Sequence, residues 1–267
     1  MYGFNQENLG IRKMMGETTR VLLVGSTAII VTEFIVGFDV DRSSRYEDAA
    51  IYFKEALKDF KDISITHIPN HLIDSQFPRS KEELAQYHVL LLSDCGRNTL
   101  EMYPEVNIIP MGPDRIGMIV DYVASGGSLV MAGGWKSFQG FRSSANYSGS
   151  RIEDLLPVKM LLGDDRIEIT EGIKPSIIQG SHPIFKGIPA DWPSFSGYNK
   201  LLPKTSASVL ASIGINDPFI VSHNIEKGVT IAFSSGLAPH WGIDFVRWRY
   251  YGIFWYQVIN WLGGRFA

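Results

Sequence analysis

The side chains able to do chemistry are few, and most fall just past short apolar runs. Cys95 is the only thiol in the chain's 267 residues. It follows Asp94 and precedes Arg97 and Asn98. A thiol near a cationic group loses its proton easily and becomes a nucleophile, whereas a free cysteine among apolar neighbours is a small packing residue. Both readings stand for Cys95. His240, next to Trp241, is the histidine placed to act as general base or polar binder, the alternative being a loop histidine bonded for structure. Gly133, Gly134, Trp135 and Ser137 form a second group. Its glycines allow close backbone approach, and its indole, like that of Trp241, offers a face to a ligand. Asp94 is suited both to capping a turn and to binding. Glu33 and Asp39 lie in a long apolar stretch read as a loop, and one of the two is expected to touch a ligand. Asp164-Asp165-Arg166 reads as a turn with an internal ion pair. No histidine, cysteine or carboxylate spacing suits a metal, so neither a metal nor a cofactor is expected.

These groups need elements to position them. Arg20 to Gly25, Val89 to Asp94, Ser128 to Ala132 and Val229 to Ser234 are short apolar runs that read as buried parallel strands, and Ile63 to Ile68 alternates as a further strand. Helical spacing recurs between them, over Tyr46 to Phe60, Lys81 to Tyr87 and Asp114 to Ser125. Strand and helix in alternation argue a doubly wound α/β fold on a mostly parallel sheet. Residues 155–225 carry prolines and short β-like runs and read as a strand-rich C-terminal extension. Gly236 to Gly242 reads as a loop, and Phe245 to Leu262 as a closing helix rich in aromatic residues. The division expected is a flexible arm over 1–19 and a single domain over 20–267. In open α/β sheets ligands bind beyond the carboxyl ends of the strands, where the strand order reverses. That rule gathers Ser26, Glu33, Asp39, Asp94, Cys95, Asn98, Gly133, Gly134, Trp135, Ser137, His240 and Trp241 at one edge.

Bulk properties narrow the class. Apolar residues make up 45% and charged residues 20%, with a net charge of −3, which suits a globular core without disulfides. No basic run marks a nucleic-acid surface. No apolar run approaches the ~20 residues of a membrane span, and the opening stretch lacks the apolar core of a secretory signal. One cysteine suits a reducing, cytoplasmic setting.

Several segments together carry a resemblance: Val36 to Asp39, Phe77 to Leu84, Leu91 to Leu100, Gly133 to Phe138, Leu155 to Val158, Asp164 to Arg166 and Ala238 to Trp241. From Arg20 to Trp261 the chain resembles the putative glutamine amidotransferase family, a branch of the class I glutamine-amidotransferase-like superfamily close to trehalose-utilisation proteins. The resemblance implies a flavodoxin-like core. It also exposes a departure. Class I amidotransferases hold a cysteine in a Gly-x-Cys-x-Gly elbow, where a tight turn exposes the thiolate beside backbone N–H donors. By chain order the elbow should follow Ser128 to Ala132. That place reads Gly133-Gly134-Trp135-Lys136-Ser137, with no cysteine, and no Gly-x-Ser-x-Gly pattern surrounds Ser137. The partner pair His-x-Glu is missing too, since Trp241 and Gly242 follow His240.

Three functions follow as expectations. The first is binding of a small polar metabolite, a sugar among the candidates, by Asp94, Asn98, His240 and the two indoles. The second is an enzyme, either a hydrolase or isomerase using His240 with a carboxylate, or a thiol enzyme using Cys95. The third is a homo-oligomer subunit whose interface is the aromatic C-terminal helix.

Overall fold

The computed structural model describes residues 18–103 and 112–264. The flexible arm expected over 1–19 falls outside the described residues up to residue 17, and Thr19 already begins the first strand. The chain runs β1 (Thr19–Gly25), β2 (Thr27–Val36), β3 (Asp39–Asp48), α1 (Ile51–Leu57), β4 (Ile63–Ile68), α2 (Ile73–Gln76), α3 (Lys81–Leu84), β5 (Val89–Ser93), α4 (Arg97–Glu101), α5 (Arg115–Ala124) and β6 (Ser128–Ala132). It continues α6 (Arg151–Leu155), β7 (Val158–Met160), β8 (Arg166–Ile173), β9 (Ser176–Ile177), β10 (Phe195–Asn199), β11 (Leu201–Pro203), β12 (Ser208–Ile213), β13 (Asp217–Ile225), β14 (Gly228–Phe233), α7 (Pro239–Arg247) and α8 (Tyr251–Leu262).

The main sheet has the order β4-β1-β5-β6-β14-β13-β12-β9. Its first five strands are parallel, and β13, β12 and β9 add antiparallel at the far edge. The expected mostly parallel, doubly wound sheet with a strand-rich extension is what forms. The apolar runs are continuous because both faces are covered. Val21 and Leu23 face one core with α1 and α8, whereas Leu22 and Val24 face the other with α5. No helix among the described residues is long and apolar enough to cross a membrane.

Two expectations about connections fail. The stretch after Gly25 is not a loop but a hairpin. β2 and β3 pair along their whole length, from Thr27 opposite Asp48 to Val36 opposite Asp39. Gly37, at φ 60°, opens its two-residue turn, the position where glycine is favoured. The segment Gly236 to Gly242 is not all loop either. Pro239 starts α7, a favoured first helical position, so His240 and Trp241 are helical. The single closing helix is in fact α7 and α8, separated at Trp248. Three aromatic side chains of α8 fill this chain's own core: Tyr251 is 2% exposed and Phe254 and Trp255 are each 1% exposed. These three are therefore not free to join the oligomer interface expected of this helix, whereas Tyr256 and Trp261 are half-buried.

The strand order locates a crevice. β1 is flanked by β4 on one side and β5 on the other, so the chain winds outward in both directions from the β1/β5 pair. The loops leaving β1 and β5 consequently part at their carboxyl ends and leave an opening between them.

Candidate functional site

The turns that bound this opening are strained. Ser26 after β1 and Asp94 after β5 hold left-handed backbone at φ 54° and 44°, and Gly134 after β6 lies at φ 153°. Such conformations cost a side-chain-bearing residue ~1–3 kcal/mol and persist where surrounding bonds fix them. Those bonds are present. The Ser26 N–H donates to the Ser93 carbonyl at 2.6 Å. The Asp94 N–H donates to Ser137 Oγ at 3.0 Å. Asn70, just past β4, donates its Nδ2–H to the Thr27 and Asp94 carbonyls at 2.7 and 3.0 Å.

These bonds present the Asp94 carboxylate to the opening. Its Oδ1 accepts the Lys136 N–H at 2.8 Å, and it lies directly over Gly134, where a Cβ would stand 2.2 Å from Oδ1. Burial pushes its pKa above the usual aspartate value; the Lys136 N–H, the His240 and Lys136 charges and the Trp135 N–H pull against that rise. Beneath it the 133–140 loop is tied to the sheet. Asn199, fully buried at the end of β10, accepts the Gly134 N–H at 2.9 Å and donates to Asp165 Oδ1 at 2.8 Å. Asp165 accepts the Gln139 and Gly140 N–H groups at 3.0 and 2.8 Å. Burial raises its pKa as well.

The upper wall is aromatic. Trp135, 39% exposed, stacks on Phe141 with centroids 5.2 Å apart and donates its Nε1–H to Glu168 at 3.0 Å. The Arg166 guanidinium covers both rings and is fixed by Asp164 at 2.9 Å; this is the ion pair expected of that turn. His240, exposed on the first turn of α7, meets Trp135 edge-on at 4.9 Å. The resulting cleft is about 610 Å³. Asp94, Asn98, Trp135, Lys136 and His240 line it, with Ser26, Asn70 and Thr99 at its base and Ala28, Ile30 and Glu47 of the hairpin root on the remaining side. An apolar wall with a few convergent polar groups is the usual make-up of a small-molecule site.

Of the residues expected at this edge, Ser26, Asp94, Asn98, Trp135 and His240 meet in the cleft. Gly133, Gly134 and Ser137 support it from below. Four others lie elsewhere. Cys95 is 2% exposed and packs in the same apolar layer as Val24 and Phe77. Burial, helped by the neighbouring Asp94 charge, pushes its thiol up to about 12, away from the reactive thiolate form. Trp241 is 3% exposed and lies against Gly197 of β10, because the third residue of α7 faces β10 rather than the opening. Glu33 and Asp39 are carried away on the hairpin, Glu33 paired with Arg42 at 2.8 Å and Asp39 beside the turn. Asn70 and Asn199 are the residues the sequence reading missed. Asn70 has a signal in the sequence, since it follows the alternating run Ile63 to Ile68, a fifth parallel strand ending at the same edge. Asn199 has none, lying in the antiparallel extension and reaching the site only through the fold. No group of three or more histidine, cysteine or carboxylate side chains is arranged for a metal among the described residues.

Comparison with known proteins adds a family. The family model described as "Putative glutamine amidotransferase" matches residues 20–264. A solved cytoplasmic protein of Salmonella typhimurium is 35% identical, with 91% of this chain and 98% of that one covered and a TM-score of 0.86. A second cytoplasmic protein, from Salmonella typhimurium LT2, is also 35% identical, with 91% and 99% covered and a TM-score of 0.86. A ThuA-like protein from Parabacteroides merdae is 10% identical over 92% of this chain and 90% of its own, with a TM-score of 0.58, a likeness of fold. No curated protein matches.

Proposed function

Since the chain belongs to the putative glutamine amidotransferase family, we propose that it uses the sheet-edge cleft to bind a small polar metabolite rich in hydroxyl groups, a sugar being the best fit. The observation that carries this reading is the Asp94 carboxylate. It is held in a left-handed turn at the base of the cleft, with one oxygen already committed to the Lys136 N–H. A desolvated carboxylate fixed in place accepts strong hydrogen bonds from ligand hydroxyls. Asn98 and His240 add donors and acceptors around it, and Trp135 offers an apolar surface to the C–H face of a sugar ring.

Glutamine hydrolysis by a nucleophile elbow fits this cleft poorly. The loop after β6 has no cysteine, Cys95 is buried with its thiol up at about 12, and the Ser137 hydroxyl is 2% exposed beneath Asp94. One observation favours a second reading, acid–base chemistry on the bound metabolite. Asp94 has its pKa raised by burial and feels the His240 charge, a pairing typical of proton-transfer sites. The single buried thiol suits a cytoplasmic location.

A thermal-shift screen of sugars, polyols and other polar metabolites tests the binding reading. A ligand is expected whose stabilisation is lost in Asp94→Asn and reduced in Trp135→Ala. A stabilising ligand unaffected by either substitution overturns the assignment. If acid–base chemistry occurs, His240→Ala abolishes turnover and leaves binding measurable.

A further inference from the structure

The β2–β3 hairpin stands out from the body of the protein with its apolar side chains uncovered. Ile29, Val31, Phe34, Ile35 and Val36 of β2 and Phe38 at the turn are each more than half exposed. A two-stranded ribbon is marginally stable by itself in water, and a soluble chain rarely leaves so much contiguous apolar surface open. The exposed apolar residues of the hairpin present on the order of 1,000 Å², against the ~800 Å² per partner of a standard protein interface.

The two edges of the ribbon differ. β3 reads DVDRSSRYED, and its charged edge resists further strand pairing. β2 reads TAIIVTEFIV, with one charge, no proline and six β-branched residues before its last position, so its edge is unprotected. The pair flanking a two-residue turn exchanges both of its hydrogen bonds. The even-numbered residues from Ala28 to Val36 therefore bond β3, and Ile29, Val31, Glu33 and Ile35 turn their backbone groups to the open edge.

The apolar pattern of β2 is symmetric about Thr32. Under a two-fold axis through Thr32, Ile29 faces Ile35, Ile30 faces Phe34 and Ala28 faces Val36 of the other strand. These three matches are apolar to apolar, while Val31 meets Glu33, and each pair recurs on the other side of the axis, as an isologous contact requires. The odd-numbered pairs, Ile29 with Ile35 and Val31 with Glu33, are the ones that exchange backbone hydrogen bonds, so side-chain pattern and backbone phase select the same register. Glu33 enters already neutralised by Arg42. We propose that β2 is a dimerisation edge that pairs antiparallel with β2 of a second copy of this chain, centred on Thr32, to form a closed four-stranded β3-β2-β2-β3 sheet. The charged β3 edges cap that sheet at two copies. Ile30 lies on the hairpin face that lines the cleft, so this register brings Phe34 of the second copy to the rim of the site.

The register fixes the test. Directly opposed residues that do not exchange hydrogen bonds have Cα atoms ~4.5 Å apart, within the range a disulfide spans. The full-length Thr32→Cys variant should cross-link to a covalent dimer under mild oxidation, with no background from Cys95, which is 2% exposed. Ile30→Cys alone should not cross-link, whereas a mixture of Ile30→Cys and Phe34→Cys chains should. Sedimentation velocity of the unmodified chain at tens of micromolar should show a dimer, and Val31→Pro, which removes an N–H that β3 does not use, should convert it to monomer. A monomeric unmodified chain overturns the proposal. So does a dimer in which Thr32→Cys stays unlinked, because that dimer uses another surface.

Discussion

Gly134→Ala tests whether the Asp94 carboxylate rests on the loop after β6. The added Cβ would stand 2.2 Å from Asp94 Oδ1 and 2.5 Å from its Cγ, far inside contact distance, so the carboxylate must swing away. It then gives up the Lys136 N–H at 2.8 Å, a charge-assisted bond whose loss costs ~1.5–3 kcal/mol. The alanine must also hold φ near 153°, at a further ~1–3 kcal/mol. The sum is about 4 kcal/mol, or a fall in Tm of roughly 10 °C at ~2–4 °C per kcal/mol for a chain of this size. Urea unfolding followed by circular dichroism measures it, with an unchanged slope showing that the unfolded state is unaltered. Repeating the substitution in an Asp94→Ala background separates the two contributions. With the carboxylate gone, only the backbone strain should remain, so the cost should drop by about 2 kcal/mol. A cost below ~1 kcal/mol in the parent background, or no difference between the two backgrounds, would refute the packing argument.

Two further outcomes follow from the same cleft. Cys95, buried and with its thiol up at about 12, should resist iodoacetamide in the native protein and react fully once unfolded; rapid native-state labelling would show that the thiol reaches solvent. Asp94 titrates above the ordinary aspartate value when folded, so the native state holds a proton over a range where the unfolded chain has lost it. Stability therefore falls as pH rises through that range, Asp165 adding a slope of the same sign. Asp94→Asn should reduce the slope and leave the protein more stable at neutral pH while abolishing ligand stabilisation, and an unchanged slope would mean that Asp94 titrates normally.

The core was legible because its strands are short and almost wholly apolar, as in Val89–Ser93 and Ser128–Ala132, where every residue is buried, and the second is bounded by Gly127 and Gly133. The cleft was legible to the same extent, since strand ends fix its place and put Asp94, Asn98, Trp135 and His240 around it. The hairpin was not. β2 is apolar on both faces yet exposed on both, so it shows neither the alternation of a half-buried strand nor the setting of a buried one. What Cys95 and Trp241 do depended on a single step of backbone direction. Cys95 follows a residue turned to φ 44°, a conformation uncommon outside glycine, which redirects the chain between Asp94 and Cys95. Trp241 follows Pro239 into a helix, and the proline was a signal for that helix start.

The loop after β6 also bears on the ligand class proposed for the cleft. Backbone N–H groups gathered at a tight turn form an anion site, which stabilises negative charge on a bound group. Here the N–H groups of Trp135 and Lys136 are directed at the protein's own carboxylate, that of Asp94. An incoming molecule therefore meets an acceptor where it would otherwise meet donors, which favours hydroxyl-bearing ligands and opposes anions. Asp94→Gly reverses that preference. It relieves the left-handed turn at φ 44°, frees both N–H groups, and leaves Lys136 as local positive charge. The variant should gain stabilisation from inorganic sulfate or phosphate that the parent protein lacks, read as a saturable rise in Tm at constant ionic strength. Equal behaviour of parent and variant toward both anions would show that the donors are not aimed at the place the carboxylate leaves.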